Sequence, residues 1–530
     1  MVSKLDQDAS IALANIREWR NSLVPVNRFP QEVLSLIPTH LPRESDLVHA
    51  SSVCRHWRRN FTQHAVLWSK LDLSIKRSCQ FVKRRLERAK GSPLDITSAR
   101  LSSPDILALV SSRSQQLRKL DFLNDYWSQI QLFSEAISGP LPLLRSLQIH
   151  VVDLDPLDPD SAIRPSLPLF RGALNLKEFC LRTEGVPYLN QFTFPNLTTF
   201  ELAAIHEDEE AFPTLQLLDF LDASPTLRTV HVTIDAEISL EGVLPGRTVT
   251  LPNVERLAVE EREPGYRIAT HIACPSAKHV SLTREDLNGL TVAPDAFPTS
   301  ETWNAIPPRY MANQIDEVVL ESVFSQNLSC SISFMSPSSA TLEVGYRMVE
   351  TEEDDAVEPS LGWGYVRALN KASGAIQSHP LFATVKRLRI QDWRTPITPG
   401  QLKRVARVIG RFFRSMGPLE ELALDASDLR PYLTPFTDLP DLDDLKQSYV
   451  YPQIKGLAIS DRGGPLDAGS KDSIMEFAKS QHARGVPFER VVLRLRESAE
   501  DMVEKLRPWV GGVDFQQGAI LADDEDPMQL

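Results

Sequence analysis

The sequence predicts a mixed α/β protein: a small three-helix module near the N-terminus, then an irregular strand-and-helix solenoid built on a parallel sheet. Two observations carry this. Between Phe29 and Trp68 large apolar residues fall at helical steps of three and four. From Leu117 onward a short phrase, apolar-x-x-apolar-x-apolar, returns repeatedly, with the alternation a half-buried strand requires. A content of 42% hydrophobic and 24% charged residues is that of a chain able to bury a core over most of its 530 residues.

Charge and cysteine usage narrow the function classes. A formal net charge of -13 argues against a polyanion binder, since nucleic-acid affinity rests on Lys and Arg neutralising phosphates, so no nucleic-acid partner is expected. The five cysteines, Cys54, Cys79, Cys180, Cys274 and Cys330, form no C-x-x-C pair and read as reduced thiols. Met1 to Leu23 lacks the basic start and apolar middle of a secretory signal, and no run approaches the length of a membrane span. A cytoplasmic or nuclear protein with no membrane partner is the expectation. On that basis the sequons at Asn60, Asn196 and Asn327 are chance.

Residues 1–26 begin the chain. Ile11, Leu13, Ile16, Trp19 and Leu23 predict an amphipathic helix, expected to pack on the segment that follows, with a coiled-coil dimer as the alternative. Residues 27–73 come next. Pro30 suits a helix start, and Val33, Leu34, Ile37 and Leu41 line one face before Pro42 closes the helix. Pro38 lies inside that helix and is expected to kink or stop it, because it has no N–H for the carbonyl of Leu34. Ser45 or Asp46 can cap a second helix carrying Leu47, Val48, Val53, Trp57 and Phe61. So short a segment cannot bury this many large apolar groups by itself, so part of its surface is expected to meet another protein.

This stretch resembles the F-box, whose pattern runs L-P-x-E-[IVL]-L, then I-x-x-x-L, D-L, V-C-[RK]-x-W and L-W. The matching residues are Phe29-Pro30-Gln31-Glu32-Val33-Leu34, Ile37 to Leu41, Asp46-Leu47, Val53-Cys54-Arg55-His56-Trp57 and Leu67-Trp68. Phe29 departs from the usual leucine, and Pro38 from the usual helix. The resemblance implies a three-helix module that binds a Skp-type adaptor, and through it a cullin, within an SCF-type ubiquitin ligase. It implies adaptor contacts from Phe29, Pro30, Val33, Leu34, Ile37, Leu41, Leu47, Val53, Cys54 and Trp57, with Leu34, Ile37, Leu41 and Trp57 as anchors, and no catalysis by this chain.

Residues 74–93 predict a basic helix, with Phe81, Val82, Leu86 and Ala89 amid Lys and Arg, stopped by Gly91 and Pro93. Residues 94–515 carry the repeated phrase. Its instances run from Leu117-Leu120-Phe122, through Leu144-Leu147-Ile149, Leu176-Phe179-Leu181, Leu197-Phe200-Leu202, Leu227-Val230-Val232, Val254-Leu257-Val259, Val280-Leu282 and Ile315-Val318-Leu320. They continue through Val385-Leu388-Ile390, Leu419-Leu422-Leu424 and Ile454-Leu457-Ile459 to Phe488-Val491-Leu493. Most recur at irregular steps of roughly 20 to 35 residues, the period range of stacked repeats. Helix-like runs such as Leu215 to Leu221 and Gln401 to Ser415 lie between them. The phrase resembles the strand of degenerate leucine-rich repeats, without most of their asparagine ladder. Insertions are expected near 285–314 and 345–380, the second containing the acidic run Glu350 to Glu358, and residues 516–530 read as an acidic disordered tail.

The sequence shows no G-x-x-x-x-G-K-[ST], G-x-S-x-G or H-E-x-x-H. His206-Glu207-Asp208-Glu209-Glu210 reads as an acidic turn, and His40, His49, His56 and His64 lack zinc-ligand spacing. No catalytic residue, metal or cofactor is expected. The reading is a substrate-recognition subunit that holds an unidentified protein target. The alternatives are an F-box scaffold outside any ligase and, less well supported by the residues, an enzyme on a repeat frame.

Overall fold

A computed structural model describes residues 2–40, 44–99, 103–137, 139–152, 169–184, 187–205, 211–261, 267–286, 317–324, 327–335, 341–349, 385–392, 406–407, 409–410, 413, 419–426, 428–436, 453–461 and 465–517. The chain divides into two compact units, Met1–Glu201 and Leu202–Leu530. Both are mixed α/β with parallel strands.

The first unit opens with α1 (Val2–Ser22), a 3-10 turn at Pro25–Arg28, α2 (Gln31–Leu36), α3 (Glu44–Ser52) and α4 (Arg55–Gln63). Pro30 caps α2 from outside, its carbonyl accepting the N–H of Leu34 at 3.0 Å. The stop expected at Pro38 is present: α2 ends at Leu36, and Ile37–His40 continues as a 3-10 turn. The second helix is broken in two. It starts at Glu44, ahead of the expected cap, and ends at Ser52; Cys54 then turns extended (φ -157, ψ 172) and α4 begins. Ile11, Leu13, Ile16 and Trp19 of α1 stay exposed, Trp19 at 67%. The module's interior is already filled by Leu34, Leu47 and Phe61, which leaves α1 no core to enter.

Strand β1 (Lys70–Leu73) precedes α5 (Cys79–Ala89), β2 (Leu94–Ser98), α6 (Pro104–Ser111), β3 (Leu117–Asp125), α7 (Trp127–Ala136), β4 (Ser146–Val151) and β5 (Glu178–Thr183), and β6 (Thr199–Ile205) crosses the division. The strands β1 to β5 pair in chain order, all parallel, placing Leu71, Ile96, Leu120, Leu147 and Phe179 side by side. All five are buried, and a continuous row of this kind is how stacked units share a core that none could close alone. The sheet begins two strands ahead of the first full phrase, because β1 and β2 carry shortened versions, Leu71-Leu73 and Leu94-Ile96. Ser78 caps α5 by accepting the N–H of Phe81 at 3.2 Å, and Lys90, not Gly91, takes the positive φ (51) that ends it.

In the second unit the strands are β7 (Phe212–Pro213), β8 (Thr229–Asp235), β9 (Ile238–Ser239), β10 (Val249–Thr250), β11 (Arg256–Glu261), β12 (Ile272–Ala273), β13 (His279–Asp286), β14 (Glu317–Phe324), β15 (Asn327–Met335), β16 (Thr341–Val349), β17 (Arg387–Asp392), β18 (Glu421–Ala426), β19 (Gly456–Ser460), β20 (Arg490–Leu495) and β21 (Val513–Gln517). The helix α8 (Thr214–Asp222) covers the expected run Leu215 to Leu221. Parallel pairs β8–β11–β13 and β17–β18–β19–β20–β21 flank an antiparallel meander β14–β15–β16. β13 pairs with β16 and β14 with β17, both parallel. The meander departs from a purely parallel array, and β16 runs through position 345, where an insertion was expected to begin. The rest of that insertion, residues 287–316 and the tail beyond Gln517 lie outside the described residues.

The register is held at the strand entrances. Asn175 and Asn196 in the first unit donate to the carbonyls of Pro142 and Leu174 in the preceding repeat at 3.0 and 2.9 Å, and Asn253 in the second donates to Pro225 at 3.0 Å. A partial asparagine ladder therefore exists, one position ahead of each phrase. Lys386, Glu420, Lys455 and Glu489 alternate in charge along another row, each successive N–H donating to the preceding carbonyl at 2.7 to 2.8 Å. Opposite charges on neighbouring strands add to register specificity.

Candidate functional site

The segment from Asn27 to Trp68 separates its apolar residues into two sets. Leu34 (0% exposed), Leu47, Phe61 and Trp68 turn inward. The ring of Phe61 takes the edge of Trp57 at 5.3 Å and an interplanar angle of 64°, and the carbonyl of Phe61 accepts the indole N–H of Trp68 at 2.7 Å. Trp68 is roofed by cations of α5: the Arg88 and Arg85 guanidinium carbons lie 4.3 and 5.1 Å from its ring centre, and Arg85 donates to the carbonyl of Lys70 at 2.6 Å. The expected basic helix thus has a structural task, with Val82, Arg85, Leu86 and Ala89 on its buried side.

The second set faces outward. Phe29, Val33 (41%) and Leu36 come from the start and face of α2, Val48 from α3, and Val53 (63%) from the turn into α4. Each of these groups is about half exposed and so forgoes part of the roughly 1.5 to 3 kcal/mol that full burial of such a side chain gives. Pro30 is exposed as well, and Ile37, Cys54 and Trp57 are half-buried. Trp57 is oriented by a hydrogen bond from its indole N–H to the side-chain oxygen of Asn27. Arg28, Arg55, Arg58 and Arg59 are exposed on the same module.

Of the residues expected to contact an adaptor, Phe29, Pro30, Val33 and Val53 are open to a partner, and Ile37, Cys54 and Trp57 partly so. Leu34 and Leu47 are sequestered in the module's interior and offer a visitor no surface; Leu41 lies outside the described residues. Val48 is in the apolar pattern read from the sequence but not among the expected adaptor contacts, and Leu36 and the bracing Asn27 are in neither. Leu36 adjoins expected apolar positions, and that adjacency is its signal. Asn27 carried none.

Among the described residues no group of three or more His, Cys, Asp or Glu is placed to hold a metal ion, and no helix is long and apolar enough to cross a membrane. His56 meets the side-chain amide of Asn60 at 3.1 Å. Residues 206–210 lie outside the described residues.

A model of the F-box-like family matches residues 26–74, the span that contains both sets. No curated protein matches the chain. The chain therefore carries an F-box-like domain, a module that is typically non-catalytic and generally binds Skp-type adaptors.

Proposed function

We propose that this chain is a non-catalytic substrate receptor of an SCF-type ubiquitin ligase. Its F-box-like domain docks on a Skp-type adaptor and, through it, a cullin, while the stacked strands, which resemble degenerate leucine-rich repeats, hold a protein target. The observation that supports this most is the outward apolar set Phe29, Val33, Leu36, Val48 and Val53 on a domain whose interior is already filled. Interface energy concentrates in a few such anchors. The chain then acts by proximity, holding the target close to charged ubiquitin, in the cytoplasm or nucleus.

Affinity capture of the intact chain tests the reading. Adaptor and cullin captured together, with a set of proteins that accumulate when the chain is deleted, is the expected result. Adaptor without cullin, and no accumulating protein, would make the chain a scaffold outside the ligase.

A further inference from the structure

The sheet of the second unit carries, on the side away from its core, a groove of about 360 Å³ across β8, β11 and β13. Its volume falls in the lower part of the range for ligand sites, roughly 300 to 1,000 Å³. Two rows of outward residues form it. Thr229, Arg256 and His279 pair in register as one row, and His231, Ala258 and Ser281 as the next. Ala258 supplies only a methyl group between His231 and Ser281, so the middle strand is the low point. His231 and His279 come from the two outer strands, about 10 Å apart at usual strand spacing.

The Arg256 end of this groove is cationic. Among the described residues no ion pair joins Arg256 to a carboxylate; the neighbouring Glu255 pairs with Lys278 at 2.8 Å and lies within the field of Arg228 and Arg256. Glu260, two outward positions further along β11, meets the Thr233 hydroxyl at 3.4 Å. His279 is held below the ordinary imidazole range, first by partial burial and then by Arg256 and Lys278, so the local field is positive. On the far side β13 pairs with β16, His279 opposite Thr341 and Ser281 opposite Glu343 in register.

We propose that this groove recognises an anionic side chain of a polypeptide target, a carboxylate or a phosphate, with Arg256 as its charge partner and His231, His279 and Thr229 as hydrogen-bonding walls. A guanidinium offers the planar fork that both oxyanions accept, and strand-borne side chains present it on a rigid frame. This inference rests on the reading of the stacked strands as the target-holding part of the chain.

The test is a titration of the full-length protein, carrying labelled histidine, with N-acetyl-phosphoserine amide, N-acetyl-glutamate amide and the neutral N-acetyl-serine amide. Histidine resonances are assigned with His231→Gln and His279→Gln. Saturable shifts of both resonances with at least one anionic probe, none with the neutral one, and affinity weaker by about tenfold or more in Arg256→Gln are expected. Arg490→Gln, the same charge change on β20, should leave the titration unchanged. Whichever anion saturates names the target chemistry. No saturable shift, or equal titration of Arg256→Gln and the native chain, overturns the proposal. Adaptor capture is measured in parallel on Arg256→Gln: retained capture with lost anion binding separates the groove from the F-box, and lost capture in the native chain removes the ligase reading alone.

Discussion

Trp57 reaches back 30 residues to Asn27, its indole N–H bonded to the asparagine side-chain oxygen, and Asn27 donates in turn to the carbonyl of Asn21 at 2.6 Å. The end of α1 and the face of α4 are thereby fixed to one another. Asn27→Ala removes both bonds and leaves the indole N–H half-buried without this acceptor, which should cost about 1 to 3 kcal/mol. Asn27→Asp keeps an acceptor for Trp57 and should cost less. Urea unfolding of the two variants checks the order.

Leu34 and Val33 are adjacent, and the structure gives them opposite tasks. Leu34→Ala removes a fully buried side chain and should destabilise the module by about 2 to 5 kcal/mol. Val33→Ala lies on the outward face and should change stability by no more than roughly 0.5 kcal/mol. Thermal unfolding separates the two; equal losses would place Val33 in the interior.

Trp68 couples the helical module to α5. Trp68→Phe keeps most of the buried ring but removes the donor to the Phe61 carbonyl, and Trp68→Ala also opens a cavity beneath Arg85 and Arg88. Losses of about 1 to 3 kcal/mol and about 3 to 5 kcal/mol respectively are expected in denaturant titrations.

Glu261, at the end of β11, is fully buried and accepts the N–H groups of Ile268 and Ala269 at 3.1 and 3.2 Å. Burial pushes its carboxyl up from 4.5 to about 7, against the pull of the N–H groups of Ala269, Ile268 and Arg267. Between those values the folded chain keeps a proton that the unfolded chain has released. The stabilisation from this group is therefore complete below about pH 4.5, declines as pH rises, and is gone above about 7. Its size is on the order of 3 kcal/mol. Glu261→Gln keeps a carbonyl for the two N–H groups and removes the titration. The unfolding free energy of the native chain minus that of the variant should fall between pH 5 and 8, and parallel curves would contradict the assignment.

The strands were legible because their phrase encodes two things at once: alternation, and an apolar entry residue that closes the turn into the core. Leu120, Leu147, Phe179, Leu257, Leu388, Leu422 and Leu457 all fall in the interior rows for that reason. Strand direction was not legible. The alternating Leu328, Cys330, Ile332 and Phe334 of β15 suit either sense, since a period of two fixes the face and not the polarity. The division of the helical module was equally hidden. Periodicity marks Val33 and Leu34 alike as apolar, and only the packed module, which buries Leu34 and leaves Val33 outward, decides which one water meets.

On the proposed function, the outward apolar set grips a Skp-type adaptor. The most direct measurement is the affinity of the purified chain for a purified adaptor, compared with that of Val33→Asp/Val53→Asp, both exposed positions that leave the interior intact. A loss of affinity of about a hundredfold or more, with unfolding temperature and circular dichroism unchanged, is the predicted result. Undiminished binding by the folded double variant would contradict it.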